Sequence, residues 1–319
     1  MKYLIITIAL AYLSLLPDLT ARPLAYVSNE RSNSVTVIDT ATDEVVDTIA
    51  VGARPRGIGL SPDGSILYLA LGRDDTIGVV DTKNGKQIGG IPSGSDPEAF
   101  SISPDGSRLY VSNEDANTAS IIDTHTHEIL AVIPVGIEPE GVAVSPDGKT
   151  VYVTAETTHT VSVIDTIALD VVSTILVESR PRAAAFTPDG RRAYVTSEIG
   201  GIVSVIETKD HKVIDSIKLE QGNKQIKPMG VVVSPDGKRV YVATGWANLV
   251  AVIDAATNTV TSYIPVGMRV WGLALTADGK KLYTANGVSN DVSVIDTVME
   301  KVVATVPTEE GPWGIAIEK

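Results

Sequence analysis

Cysteine is absent from the 319 residues. Its absence excludes thiol nucleophiles, thiolate metal sites and covalent haem attachment, and it leaves stability to packing alone. Basic charge is short as well. Lys and Arg number 26 against 39 Asp and Glu, a formal net charge of −13. A surface of that sign repels phosphate backbones, so nucleic acid is an unfavoured partner unless a local basic patch overrules the total. Only 20% of residues are charged and 44% are hydrophobic. A body of about 300 residues can then bury roughly 75% of the surface its unfolded chain would expose.

Long apolar runs are missing everywhere but at the N-terminus, "MKYLIITIALAYLSLLPDLTA". There Lys2 precedes an apolar run from Tyr3 to Leu16, and Leu19-Thr20-Ala21 offers a small-residue cleavage site before Arg22. The run is short and closely flanked by charge, the pattern of a secretory signal over residues 1–21 rather than a spanning helix. An uncleaved anchor is the alternative. The expectation is an exported protein, periplasmic or secreted, with no membrane span once the signal is removed.

What the chain has in abundance is repetition. "EGVAVSPDGKTVYVT" at 140–154 returns as "RGIGLSPDGSILYLA", "GVVVSPDGKRVYVAT" and "WGLALTADGKKLYTA". The tyrosine opening each "YV"-like segment falls at Tyr26, Tyr68, Tyr110, Tyr152, Tyr194, Tyr241 and Tyr283, 42 residues apart except for one interval of 47. Each copy carries four β-branched runs of strand length, such as "GVAVS", "TVYVT", "TVSVIDT" and "DVVSTILV". The "PDG" turn is chemically suited to its place, since Pro presets φ, Asp bonds nearby backbone and Gly accepts positive φ. The recurrent Asp of "VIDT" (Asp39, Asp81, Asp123, Asp165, Asp254, Asp296) is expected to cap the following hairpin turn.

Four antiparallel strands repeated seven times describe propeller blades, with a solenoid as the main competitor. The ends decide between them. "GPWGIAIEK" is a first strand with no successor, and "RPLAYVSN" begins at a second strand. Joined, they close a ring and leave no open sheet edge. The expected fold is all-β: residues 22–319 form one seven-bladed β-propeller, closed by N- and C-terminal strands sharing a blade.

"YVSNERSNSVTVIDT", "YVSNEDANTASIIDT" and "YVTAETTHTVSVIDT" resemble the YVTN-type β-propeller repeat over residues 25–319, although "YLALGRDD" and "YVATGWAN" lack the Asn of the tetrapeptide. Export signal, length and repeat number further resemble a group of secreted propellers encoded beside alcohol-oxidation systems that use pyrroloquinoline quinone. That resemblance implies a periplasmic accessory protein, with no cofactor or catalytic residue to carry over. Fold by itself implies no function.

In a four-stranded blade, the loop entering the inner strand and the loop between the second and third strands share one end. The entering loops read "RPRG", "DPEA", "EPEG", "RPRA", "KPMG", "RVWG" and "GPWG". They bring Arg54 and Arg56, Asp96 and Glu98, Glu138 and Glu140, Arg180 and Arg182, Lys227 and Met229, Arg269 and Trp271, and Trp313 to the channel mouth. The other loops add Glu30, Glu114, Glu156, Glu198 and Trp246. All three tryptophans fall at this end, in adjacent blades, and the only spacing break, around "EQGNK", lengthens a loop here. The candidate ligand- or partner-binding set is Arg54, Arg56, Glu98, Glu140, Arg180, Arg182, Met229, Trp246, Arg269, Trp271 and Trp313. A plainer reading pairs Arg56 with Glu98 and Glu140 with Arg182 across blades and packs Trp271 and Trp313 on the channel wall. Exposed pairs of that kind contribute about 0–1 kcal/mol each.

Catalytic signals are sparse. Of four histidines, His125, His127 and His211 lie in hairpin turns at the opposite end, and His159 fills a position held elsewhere by Asn33, Asn117, Asn248 and Asn290. "HTH" at 125–127 lacks a third metal ligand in sequence. "RGIGLS" lacks the following helix of a dinucleotide site. Glu98, Glu114, Glu140 and Glu156 could hold calcium if their loops converge; otherwise no cofactor is expected. The favoured expectation is a monomeric, non-enzymatic binding or scaffold propeller serving a periplasmic quinone-dependent oxidation system, engaging a periplasmic protein or a small anionic or aromatic ligand. The alternatives are a metal-assisted hydrolase or lyase, lactonase-like, using the mouth carboxylates, and a nucleic-acid-binding propeller.

Overall fold

The computed structural model describes residues 23–319, so the expected signal segment lies outside the described residues. Seven four-stranded sheets follow one another. Blades 1 to 6 begin with the inner strands Pro55–Leu60, Pro97–Ile102, Pro139–Val144, Pro181–Phe186, Val231–Val233 and Val270–Leu275. Blade 7 takes its inner strand, Pro312–Ile317, from the C-terminus and the others, Leu24–Asn29, Ser34–Asp39 and Glu44–Ala50, from the N-terminus. Tyr26 pairs with Ala316 and Val27 with Ile315 across that closure. The expected propeller and its shared blade are therefore present. Among the described residues, Gly72–Asp74 is a single 3-10 turn, and no helix is long and apolar enough to cross a membrane.

The second and third strands of each blade are buried on both faces, because each sheet packs on two neighbours. Every apolar cluster joins one blade to the next: Tyr110, Ile121 and Ile133 of blade 2 meet Val151, Val153 and Ile164 of blade 3. Six of the seven repeat tyrosines, all but Tyr68, are among the largest fully buried side chains. This explains why the middle strands read as near-continuous apolar runs rather than alternating ones.

Polar repeat positions are equally structural. Asp123 accepts from the backbone N–H groups of His125 at 2.8 Å and Thr126 at 2.9 Å, capping its turn. Asp105 accepts from Ser103 Oγ at 2.6 Å and from the N–H of Ser107 at 3.0 Å. Those bonds hold its carboxyl down at about 2. A further bond spans the blades. Ser28 Oγ donates to the carbonyl of Arg56 (2.7 Å), Ser112 to Glu140 (2.5 Å), Thr154 to Arg182 (3.2 Å) and Thr196 to Met229 (2.6 Å). Blades 1, 5 and 6 carry Ala70, Ala243 and Ala285 at this position and lack the hydroxyl.

Candidate functional site at the channel mouth

The mouth is set by a ring of backbone latches. Asn33, Asn117, His159, Asn248 and Asn290 have left-handed backbone, with φ of 53–60°. Each aims a side-chain acceptor at the next entering loop. Asn248 Oδ1 receives the N–H of Arg269 at 2.8 Å, Asn33 that of Arg54 at 3.0 Å and His159 Nδ1 that of Arg180 at 3.2 Å. His159 stands at the asparagine position, and its Nδ1 also lies 2.8 Å from the Glu156 carbonyl, an acceptor. The latched residues are left-handed too, including Arg54 (58°), Arg180 (60°) and Arg269 (56°). Such a conformation in a bulky residue persists only where its surroundings hold it. Two residues on, the inner strand then projects Arg56, Glu98, Glu140, Arg182, Met229, Trp271 or Trp313.

Blades 1 to 4 form ion pairs. Glu98 is fully buried, with one carboxylate oxygen 2.9 Å from Arg54 and the other on Arg56. Arg54 also binds Asp96, and Arg56 reaches Glu30 at 2.8 Å. Arg182 holds Glu140 at 2.7 Å and also contacts Glu156, while Arg180 lies 2.5 Å from Glu156 and 3.3 Å from Glu198. Lys227 approaches Glu198 at 3.5 Å. Burial and the nearby Glu140 carboxylate push Glu98 up to about 9, against the pull of Arg56. The expected pairs Arg56–Glu98 and Glu140–Arg182 are both present, within a wider network than the sequence disclosed.

Blades 5 to 7 stack rings instead. Trp271 lies on Trp313 with centroids 6.3 Å apart and planes 22° from parallel. The guanidinium of Arg269 sits 4.4 Å from both the Trp246 and Trp271 rings. Arg182 and Arg56 approach Trp271 and Trp313 at 5.5 and 6.0 Å. Gly287 stands where other copies carry Glu30, Glu114, Glu156 or Glu198, and any Cβ there would come within 2.7 Å of the Trp271 ring. Its lack of a side chain makes room for the stack. Arg269 has no ion pair among the described residues. Burial pushes its guanidinium below the ordinary value, opposed by Glu198 and reinforced by Arg182 and Arg31.

Seven of the eleven candidates, Arg54, Arg56, Glu140, Arg180, Arg182, Arg269 and Trp271, line one mouth cavity of about 320 Å³. Met229 and Trp313 line a deeper channel cavity of about 200 Å³. Glu98 is buried behind its arginines, and half-exposed Trp246 covers the outer face of Arg269. Arg31 also borders the mouth cavity. It was not singled out from sequence, although it replaces the Asp115 of "YVSNED". The four glutamates considered for calcium do not gather as one set. Glu98 lies with Asp96 and Glu114, their ligand atoms within 4.8 Å, whereas Glu140 and Glu156 share Arg182. The inserted loop is pinned beside Trp246, Lys224 Nζ donating to the Ala247 carbonyl at 3.2 Å.

Residues 66–188 match the family described as YNCE-like beta-propeller, and residues 168–302 match Lactonase, 7-bladed beta-propeller. No curated protein matches the chain significantly. Among solved structures, Kuenenia stuttgartiensis hydrazine synthase is similar at 28% identity, with 85% of this chain and 92% of that one covered and a TM-score of 0.79. A functionally unknown protein from Desulfotomaculum acetoxidans aligns at 21% identity over 92% of this chain and 98% of that one, TM-score 0.78. A putative 6-phosphogluconolactonase from Bacteroides uniformis aligns at 18% identity, over 93% and 100%, TM-score 0.78. The last two share the fold alone. Architecture and sequence together make this chain a seven-bladed β-propeller similar to the YNCE-like and lactonase-type propellers.

Proposed function

We propose that the chain is an exported, non-enzymatic binding propeller, an accessory to a periplasmic quinone-dependent oxidation system, that engages its target at the Trp- and Arg-bearing mouth. One observation carries this reading. Arg269 is held between two indoles at the rim without a carboxylate partner among the described residues. Trp and Arg are the residues most enriched among binding hot spots, and here they are preorganised. Replacing both Trp271 and Trp313 by Ala is expected to abolish capture of a partner from periplasmic extract while the thermal unfolding transition stays cooperative. Undiminished capture would refute the reading.

A lactonase-like hydrolase is the second reading, favoured by the family match over residues 168–302. Metal assistance would draw on Asp96, Glu98 and Glu114. Arg54 engages both Asp96 and Glu98, so the set does not suit a divalent ion without displacing a guanidinium. Stoichiometric metal in protein purified without chelator, lost in Glu98→Gln with Glu114→Gln, would favour the hydrolase.

A further inference from the structure

The stacked arginine has a chemistry of its own. The Arg269 guanidinium carbon lies 4.4 Å from the centres of two indole rings, which offer its forked N–H donors no carboxylate. Its neighbours find carboxylates: Arg54 and Arg56 in Glu98, Arg180 and Arg182 in Glu156. Arg269 finds none among the described residues, and neither does Arg31, which borders the same cavity. A guanidinium flanked by two rings and without a carboxylate of its own can offer two parallel N–H donors to the paired oxygens of a carboxylate ligand. The cavity of about 320 Å³ lies near the lower limit of small-molecule sites, roughly 300 Å³.

We infer that the mouth binds a small organic carboxylate, held in two-point fashion by the in-plane edge of Arg269 with Arg31 supplying a second positive charge. This rests on the mouth being a recognition surface, and it adds the chemical class of the ligand. Trp246, Trp271 and Trp313 are the only tryptophans of the chain and all belong to this stack. Intrinsic tryptophan fluorescence therefore reports on this site alone.

The test is a fluorescence titration of the full mature chain with succinate and, separately, with inorganic phosphate at matched ionic strength. Succinate is expected to give a saturable change and phosphate a much weaker one. Arg269→Lys keeps the charge but loses the fork and should weaken succinate by about tenfold. Arg269→Gln should remove the response. Arg31→Gln, at an exposed side chain, should weaken binding severalfold with no effect on folding. No saturable change with succinate, equal binding of phosphate, or an unaffected Arg269→Lys variant would each overturn the assignment. If succinate fails while partner capture still depends on Trp271 and Trp313, the carboxylate falls and the recognition mouth stands. If succinate behaves as expected while capture is insensitive to the tryptophans, the small-ligand site stands and partner recognition there falls.

Discussion

At the rim of blades 1 to 4 the guanidiniums meet carboxylates, whereas at blade 6 Arg269 meets two indoles. The seams beneath differ as well. Blades 7, 2, 3 and 4 clasp their successors through a Ser or Thr hydroxyl. The three seams that lack it are each bridged from above. Arg54 and Arg56 cross from blade 1 to Asp96 and Glu98, Arg269 crosses from blade 6 to Trp246 of blade 5, and Trp271 crosses to Trp313 of blade 7. An ionic bridge consumes its own hydrogen-bonding capacity. An aromatic bridge holds the blades together yet leaves the edge of a cation open. A repeat protein can thus acquire a binding surface where its internal fastening changes kind.

The contrast can be broken most forcefully at Arg182. Arg182→Leu strands Glu140, whose side chain is 7% exposed, and leaves Glu156, 4% exposed, to Arg180 alone. Loss of one partner from a buried ion pair costs about 3–5 kcal/mol, read from the urea midpoint. A loss below about 1 kcal/mol would mean that the ionic rim contributes nothing special.

Glu98 sharpens it next. A carboxyl whose folded pKa, about 9, lies above the ordinary 4.5 binds its proton more readily in the folded chain. Stability is then greatest below the ordinary value and falls as pH rises toward 9. Thermal melts across that window should decline, and Glu98→Gln should flatten the decline. An unchanged slope in the variant would remove Glu98 as its source.

Trp271→Ala should cost less than Arg182→Leu, about 2 kcal/mol, because the ring is only partly buried and its neighbours keep backbone support. Equal losses would erase the distinction between the two halves. The smallest effect belongs to the clasps. Ser112→Ala deprives the Glu140 carbonyl of its donor and should cost about 1 kcal/mol by denaturant unfolding.

Architecture was legible because it is written as spacing. Seven tyrosines and two complementary ends suffice to define a ring. The turn aspartates and His159 were legible too, since identical positions must solve identical backbone problems. Rim chemistry was legible only as an inventory. The pairs Arg56–Glu98 and Glu140–Arg182 follow from adjacency in the ring, but Arg180 with Glu156 and Glu198 depends on side chains crossing between loops. The clasp went unread because Ser and Thr of the second strand look like ordinary strand residues until a neighbouring carbonyl is in place. Arg269 was visible as a rim arginine, but its freedom was not. That property depends on Trp246, 23 positions earlier, and on the missing side chain of Gly287.

The strand Pro312–Ile317 has a consequence for biogenesis. Leu24–Asn29 is among the first described segments to be synthesised, yet its inner partner, Pro312–Ile317, is the last of the described strands. Until then one flank of Leu24–Asn29 stays unpaired, a template on which other polypeptides could zip up. Such sequence-distant pairing is also slow. Assembly of the circle must therefore wait on the tail, and truncation before residue 312 should yield a soluble-to-aggregated shift on expression rather than a graded loss of stability.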